Sequence, residues 1–298
     1  MYFDNAEGPV FRPPSEAHSF ILRVAIGCSH NACTYCNMYR SVTFRTRPMD
    51  EIMAQINAAK PYAQHIRRIF LADGNALVLS TDKLLAILDS LQRTFPRLQR
   101  VSCYGGPKDM LNKTPSELIA LREAGLKLVY YGMESGDDTV LRDVNKGVNA
   151  AESIAAGQRI VAADIKLSIM IISGLGGKAG LDRHARNTAL AINAIRPNML
   201  SALTLMLYRG SQLLDQFERG EFVPLSPPEI MDELYQLISD IELPSTSHCL
   251  FRSNHISNHI ALAATLPKDK GNLLTSIKSA QAELSKIVDW DPYNNVEF

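Results

Sequence analysis

Short runs rich in β-branched and aromatic residues alternate along most of the chain with longer stretches whose apolar positions recur every three or four residues. The short runs are ILRVAI (21–26), RRIFLA (67–72), RVSCY (100–104), KLVYYG (127–132), IKLSIMII (165–172) and MLSALTLM (199–206). Strand and helix in alternation predict a parallel sheet wrapped by helices. Six strands of this kind fit an α/β chain built as a partial or complete barrel.

The helical stretches carry their own ends. In TPSELIALREAG, Thr114 is the N-cap, Pro115 takes the first helical position, Glu117 closes a capping box and Gly125 supplies the left-handed stop. STDKLLAILDSLQRTF and AGLDRHARNTALAINAI each bury one face, so they are sheet-covering helices without assigned chemistry. From Pro224 the pattern changes. LSPPEIMDELYQLISDIEL reads as a helix, HCLFRSN as a short strand or loop, and DKGNLLTSIKSAQAELSKIV as a final helix. Residues 224–298 are therefore expected to form a mainly helical C-terminal extension, packed on the preceding core because no Gly/Ser or Pro linker sets it apart.

Composition narrows the function more than the fold. With 298 residues, 46% of them apolar, the chain can bury a substantial core. Lys plus Arg and Asp plus Glu both number 31, so no bulk field draws the protein to nucleic acid or to an anionic membrane. No apolar run approaches the roughly 20 residues that span a bilayer, and the N-terminus lacks a basic start followed by an apolar stretch. A cytoplasmic protein is expected. Five cysteines are too few and too unevenly placed for a disulfide framework, which directs attention to metal or redox chemistry.

Three of those cysteines, Cys28, Cys33 and Cys36, lie in IGCSHNACTYCN with the spacing Cys-x4-Cys-x2-Cys. Three thiolates suit a [4Fe-4S] cluster with one iron left without a protein ligand, or a zinc ion that needs a fourth ligand. For zinc, His30 is the nearest candidate, with Cys103 and Cys249 available only if the fold brings them in; the usual paired knuckle is absent. The loop follows the first strand directly, at the carboxyl end where barrels of this type place their chemistry.

Taken with DGNAL (73–77) after the second strand and YYGMESG (130–136) at the fourth, the cysteine loop resembles the radical S-adenosylmethionine (SAM) superfamily, although its first spacing is one residue longer than the usual Cys-x3-Cys-x2-Cys. The resemblance implies a (β/α)6 partial TIM barrel core over residues 18–223. It also implies a [4Fe-4S] cluster on Cys28, Cys33 and Cys36, and SAM at the open iron. Reductive cleavage of SAM to a 5′-deoxyadenosyl radical would then act on a substrate that the sequence does not name.

By the same resemblance, Tyr35 borders adenine, and Asp73, Gly74 and Asn75 stand where a Gly-Gly-Glu-type turn meets the methionine amine. Glu134 and Ser135 fall at polar contacts to ribose and methionine, Lys146 pairs with the SAM carboxylate, and Ser168 with residues 174–177 lies in the adenine region. Each has a plainer reading beside it: DGN is an ordinary turn signal, GLGG a loop signal, and Lys146 an exposed cation at a helix end.

Arg40, Arg45 and Arg47 offer three roles: countering cluster charge, guiding an acidic electron donor such as flavodoxin or ferredoxin, or holding an anionic substrate. In the extension, SNHISNH places Asn254, His255, Asn258 and His259 close together, and in a helix both histidines would share a face and suit metal binding or a polar substrate pocket, beside the plainer reading of ordinary packing and capping. Cys249 lacks close cysteine company, so no auxiliary cluster is expected. The competing class is a non-catalytic Fe-S or zinc-binding scaffold, or a redox sensor. It would bind zinc, or hold a cluster indifferent to SAM.

Overall fold

The computed structural model describes residues 8–287 together with Trp290 and Asp291. Eight strands form one mostly parallel sheet: β1 (Phe20–Arg23), β4 (Arg68–Ala72), β5 (Arg100–Tyr104), β6 (Leu126–Glu134), β7 (Lys166–Ser173), β8 (Met199–Thr204), β9 (Cys249–Ser253) and β10 (Leu262–Leu266), in that order. Two further strands, β2 (Ala25–Ile26) and β3 (Arg45–Thr46), pair with each other as a separate antiparallel ribbon. Helices α1 (Met49–Ala59), α2 (Thr81–Thr94), α3 (Pro107–Asn112), α4 (Pro115–Glu123), α5 (Asp138–Asp143), α6 (Ala150–Ala162), α7 (Gly177–Ile195) and α8 (Gln212–Glu218) follow the strands; α9 (Pro227–Asp240) and α10 (Lys270–Leu284) lie in the C-terminal part. This mixed α/β arrangement is consistent with the partial TIM barrel expected from the alternation. No helix among the described residues is long and apolar enough to cross a membrane.

The chain divides into two compact units. The first gathers the described residues up to Asn31 with Met38–Tyr131 and Arg159–Leu167. Here β1 pairs in parallel with β4, from Phe20 opposite Ile69 to Arg23 opposite Ala72, and β4 pairs in parallel with β5. Ile69, Phe70 and Leu71 are all buried, so successive side chains are covered on both faces of this strand. The capping box on α4 forms as the sequence predicts: Glu117 N–H donates to Thr114 Oγ1, and Thr114 N–H donates to the Glu117 carboxylate.

The second unit gathers Ala32–Asn37, Gly132–Gln158 and the residues from Ser168 onward. In it β7 pairs in parallel with β8, from Ser168 opposite Met199 to Ser173 opposite Thr204. The helical C-terminal part also supplies two strands. β9 pairs in parallel with β8, and β10 returns antiparallel to β9. Helix α9 starts on a second capping box, Ser226 with Glu229, and packs against both α7 and α10.

Two local expectations change, and one open reading, HCLFRSN as a short strand or loop, resolves to a strand. The run 21–26 is two strands rather than one, broken at Val24: Val24 N–H donates to Ala72 O on the sheet side, and Val24 O accepts from Arg47 N–H beside the ribbon. HCLFRSN is a strand over Cys249–Ser253. SNHISNH is not helical but a loop between β9 and β10, so its histidines do not share a helix face. Asn and Ser side chains compete for nearby backbone groups and favour turns over helix interiors.

Candidate active site

Within the first unit, the turn after β4 is bound to the start of the cysteine loop through three consecutive residues. Asp73 Oδ2 accepts from Arg23 Nε at 3.0 Å, from the second guanidinium nitrogen at 2.6 Å, and from Gly27 N–H at 3.1 Å. Both side chains of this ion pair are completely buried. Gly74 packs closely on the first cysteine: a Cβ at position 74 would lie 3.1 Å from the Tyr39 ring, 3.2 Å from Cys28 Cβ and 3.3 Å from its Cα, tighter than ordinary contact, so a side chain here would press on the loop. Asn75 Nδ2 donates to Ser29 Oγ at 2.9 Å and to Asp109 Oδ2 at 2.5 Å, while its Oδ1 accepts from Gly106 N–H at 2.9 Å.

Residues 27, 28 and 29 are thus each held by one member of the Asp73-Gly74-Asn75 turn. Asp73 has one more property: its Oδ1 is buried without a hydrogen-bond partner. Burial pushes the carboxyl above its ordinary range, against the opposing pull of Arg23 and Gly27 N–H. A buried acceptor in that condition fits a cationic donor.

Within the second unit, residues 32–37 are stitched to α5 and α8. Thr34 N–H donates to Val144 O at 3.0 Å, Leu213 N–H donates to Thr34 O at 3.1 Å, and Asn145 Nδ2 donates to Ala32 O at 3.2 Å. A tight turn brings Cys36 N–H onto Cys33 O at 3.2 Å. Between these cysteines Tyr35 packs on the apolar cluster of Val140, Leu175 and Leu207, and its hydroxyl hydrogen-bonds Glu134. Burial, then the charges of Glu134, Cys33 and Cys36, push its pKa well up, so it is a neutral donor.

Glu134 also receives Lys146 Nζ at 3.1 Å, with each of these two side chains only 12% exposed. This is a half-buried pair, not the solvent-exposed cation of the plainer reading of Lys146. Glu134 sits in the left-handed region at φ 68°, an uncommon conformation for a non-glycine residue and one that concentrates at functional sites. Its carboxylate folds back over Gly132, where a Cβ would lie 2.2 Å from Oε1.

The other expected residues divide by what they already do. Ser135 Oγ accepts from Asp137 N–H at 2.9 Å, and Asp137 caps α5 while also accepting from Arg183 and Asn187. Ser168 is buried on β7. Arg45 and Arg47 both reach Glu51, at 3.5 and 3.4 Å. His30 is half-buried. In SNHISNH, Asn258 Oδ1 accepts from Thr204 Oγ1 and its amide donates to Ala202 O. Ser257 Oγ accepts from Thr204 N–H, and His255 Nδ1 accepts from Ser257 N–H. These groups dock the loop on the end of β8. Asn254 is exposed, and His259 lines a small pocket.

None of the three loop cysteines is in a disulfide, and all are half-buried rather than sealed in the core, whereas Cys103 and Cys249 are buried and burial pushes both thiols up to about 12. Thiols of this exposure have the chemistry of iron–sulfur ligands, and within the first unit the orphaned Asp73 Oδ1 suits a hydrogen-bond donor. Among the described residues no group of three or more His, Cys, Asp or Glu side chains is already drawn together as a metal site. Sequence reasoning missed Arg23, Ser29 and Asp109. Arg23 carried a signal, since an arginine inside an apolar strand needs a buried partner; the other two did not.

The family model of the radical SAM superfamily matches residues 22–179. The heme chaperone HemW of Bacillus subtilis is 24% identical over 221 residues, covering 71% of this chain and 56% of the relative. The chain spans about half the length of the curated relatives it matches. Among solved structures, the Escherichia coli coproporphyrinogen III oxidase HemN, itself a radical SAM enzyme, aligns with a TM-score of 0.58 at 17% identity over 74% of this chain and 51% of that one. The archaeal Elp3 of Methanocaldococcus infernus aligns with a TM-score of 0.51 at 14% identity, over 90% of this chain and 64% of that one. At these identities the structures establish the likeness of fold alone. The match over residues 22–179, which contains the cysteine loop, the turn after β4 and the Glu134 strand end, settles the family: the chain belongs to the radical SAM superfamily, whose members use a [4Fe-4S] cluster and SAM.

Proposed function

We propose that this chain is a radical SAM enzyme that holds a [4Fe-4S] cluster on Cys28, Cys33 and Cys36 and binds SAM at the iron they leave open. One observation carries the reading. The Asp73-Gly74-Asn75 turn fixes residues 27 to 29 and still presents Asp73 Oδ1 without a partner. Once bound, the cluster and SAM together supply reductive cleavage of a carbon–sulfur bond, giving methionine and a 5′-deoxyadenosyl radical that takes hydrogen from a substrate.

The chain's own residues bind and orient. Asp73 Oδ1 would be the acceptor for an N–H of the SAM amino group, giving a buried carboxylate oxygen the partner it lacks. Gly74 and Asn75 keep Cys28 in place whether or not SAM is bound. Lys146, already shared with Glu134, is the donor for the SAM carboxylate, and Glu134 and Ser135 serve the ribose and methionine groups. Tyr35 and Ser168 border the adenine. Enzymes of this family need an electron donor, and a flavodoxin or ferredoxin is the donor this reading assigns.

The test is anaerobic reconstitution with iron and sulfide, followed by dithionite and SAM, with 5′-deoxyadenosine measured by mass spectrometry. Wild type should form it and Cys33→Ala should not. The electron paramagnetic resonance spectrum of the reduced protein should also shift when SAM is added. A fully loaded cluster that yields no 5′-deoxyadenosine and ignores SAM overturns the proposal.

A further inference from the structure

Two ionisable side chains of the second unit, His184 on α7 and Glu233 on α9, are buried together beyond the stretch 22–179 that matches the family. His184 Nδ1 lies 3.1 Å from Glu233 Oε2. Burying two such groups is costly unless each finds partners, and the partners here are the segments read as SAM contacts. Glu233 Oε1 accepts from Gly174 N–H at 2.8 Å, in the turn that follows β7. The same turn packs on His184, since a Cβ on Gly176 would lie 3.2 Å from His184 Cβ. Burial alone would keep the imidazole neutral, but the Glu233 carboxylate, then the Glu134 backbone and Asp137, favour its protonated form and raise its pKa.

The neighbours of His184 on the same face of α7 hold the residues that follow Glu134. Gly136 N–H donates to Thr188 Oγ1 at 3.0 Å, and Asp137 Oδ2 accepts from Arg183 Nε at 2.9 Å and from Asn187 Nδ2 at 2.7 Å. The end of β6 is therefore seated on α7, and α7 meets α9 through the buried pair. Glu134 itself stands at φ 68°, a conformation that a non-glycine residue keeps only where its surroundings over-determine it. Its carboxylate holds Lys146, so a change in that backbone would carry both side chains with it. A carboxylate suits position 233 because it has two oxygens for two partners on different elements.

We propose that Glu233 and His184 are positioning residues for SAM: Glu233, supplied by the C-terminal extension, fixes the Gly174 turn directly and the Glu134 backbone through His184. The inference rests on the radical SAM reading for the identity of the ligand; the linkage follows from the contacts alone. It gives α9 a part in the site, beyond packing against α7 and α10, although neither residue is assigned a contact with SAM.

Two readouts test it, amide hydrogen exchange in the full chain before SAM is added and the KM for SAM of the reconstituted enzyme. By mass spectrometry with electron-transfer fragmentation, Glu233→Ala should speed exchange at Gly174 about tenfold or more. His184→Asn should leave Gly174 within about threefold of wild type and speed exchange at Gly136 instead. In 5′-deoxyadenosine formation both variants should raise KM for SAM about tenfold at unchanged iron content. Glu233→Gln keeps an acceptor for Gly174 N–H and offers a donor to the neutral imidazole, so it should return both readouts to within about threefold of wild type. Asp232→Ala, one residue away on α9 and facing Gln281 of α10, should change neither.

Unchanged exchange at Gly174 in Glu233→Ala, unchanged KM in His184→Asn, or an Asp232→Ala enzyme as impaired as Glu233→Ala overturns the assignment. Should Glu233→Ala fail to fold, His184→Asn decides by the same two readouts. Failure here is distinct from failure of the radical SAM reading: a wild type that forms no 5′-deoxyadenosine sinks that reading, whereas the exchange rates test the linkage without SAM.

Discussion

Replacing Asp73 by alanine tests the clamp on the cysteine loop directly. The substitution removes the Asp73 carboxylate from the completely buried Arg23 guanidinium and strips Gly27 N–H of its acceptor. Breaking a buried ion pair from one side costs about 3–5 kcal/mol, chiefly because the surviving charge stays desolvated. The lost acceptor for Gly27 falls within the same local collapse, so the two effects overlap rather than add. At an m-value of about 3 kcal/mol per molar, urea unfolding of the cluster-free protein, followed by circular dichroism, should shift down by roughly 1 to 1.7 M.

The companion variant Arg23→Met/Asp73→Ala removes both charges and leaves an apolar chain in the space of the arginine. It should recover more than half of the loss, since an apolar pair of similar volume is often as stable as a buried ion pair. A shift of less than about 0.3 M for Asp73→Ala, or a double variant as unstable as the sum of its singles, would refute the reasoning. Iron content after reconstitution provides the second readout: Asp73→Ala should load poorly, because Gly27 adjoins Cys28.

Other predictions follow from single contacts. Gly132→Ala would put a methyl group 2.2 Å from Glu134 Oε1 and displace the Glu134–Lys146 pair, so KM for SAM should rise by about tenfold or more at unchanged cluster content. Hydrogen bonds from Thr81 and Thr114 hold the Glu117 carboxyl at about 2, below its ordinary 4.5. Its contribution is therefore present above pH 4.5 and lost as pH falls through about 2, and the difference in urea midpoint between wild type and Glu117→Ala should close over that interval. His184 and Glu233 form a buried pair at 3.1 Å between α7 and α9. Burial alone would lower the His184 pKa, but the Glu233 carboxylate raises it above 6.5. The stabilisation should be complete below pH 6.5 and fade as pH rises through the raised value, so wild type and His184→Phe should converge in alkaline urea titrations.

The six parallel strands were legible because strands buried on both faces must be continuous apolar runs, and RRIFLA or IKLSIMII has no other plausible place in a folded chain. β3 left no such trace: it is two residues long, and both Arg45 and Thr46 are exposed. β10 alternates three buried positions with exposed Ala263 and half-buried Thr265 in a run of small residues, LAATL, a pattern too short to separate from loop. SNHISNH misled for a related reason. Four-residue spacing of histidines implies a shared face only in a helix, and the Ser and Asn residues between them bind backbone groups at the end of β8 instead.

The site was legible to the extent that its chemistry is local. Cysteine spacing declares itself because three thiolates on one short loop have little other use. What the spacing could not show is how the loop is held, since Asp73 meets Arg23 across 50 positions and Asn75 meets Asp109 across 34. Yet half of that information was present. An arginine in the middle of ILRVAI cannot sit in a sheet core without a counter-charge, and the first acidic residue after the next strand in the sheet is Asp73. Parallel pairing of β1 with β4 puts Arg23 opposite Ala72, one residue from that aspartate. A charged residue in an apolar strand is therefore a pointer: it asks which acid the neighbouring strand delivers at the same level. In this chain the answer lies in the turn that also grips the first cysteine.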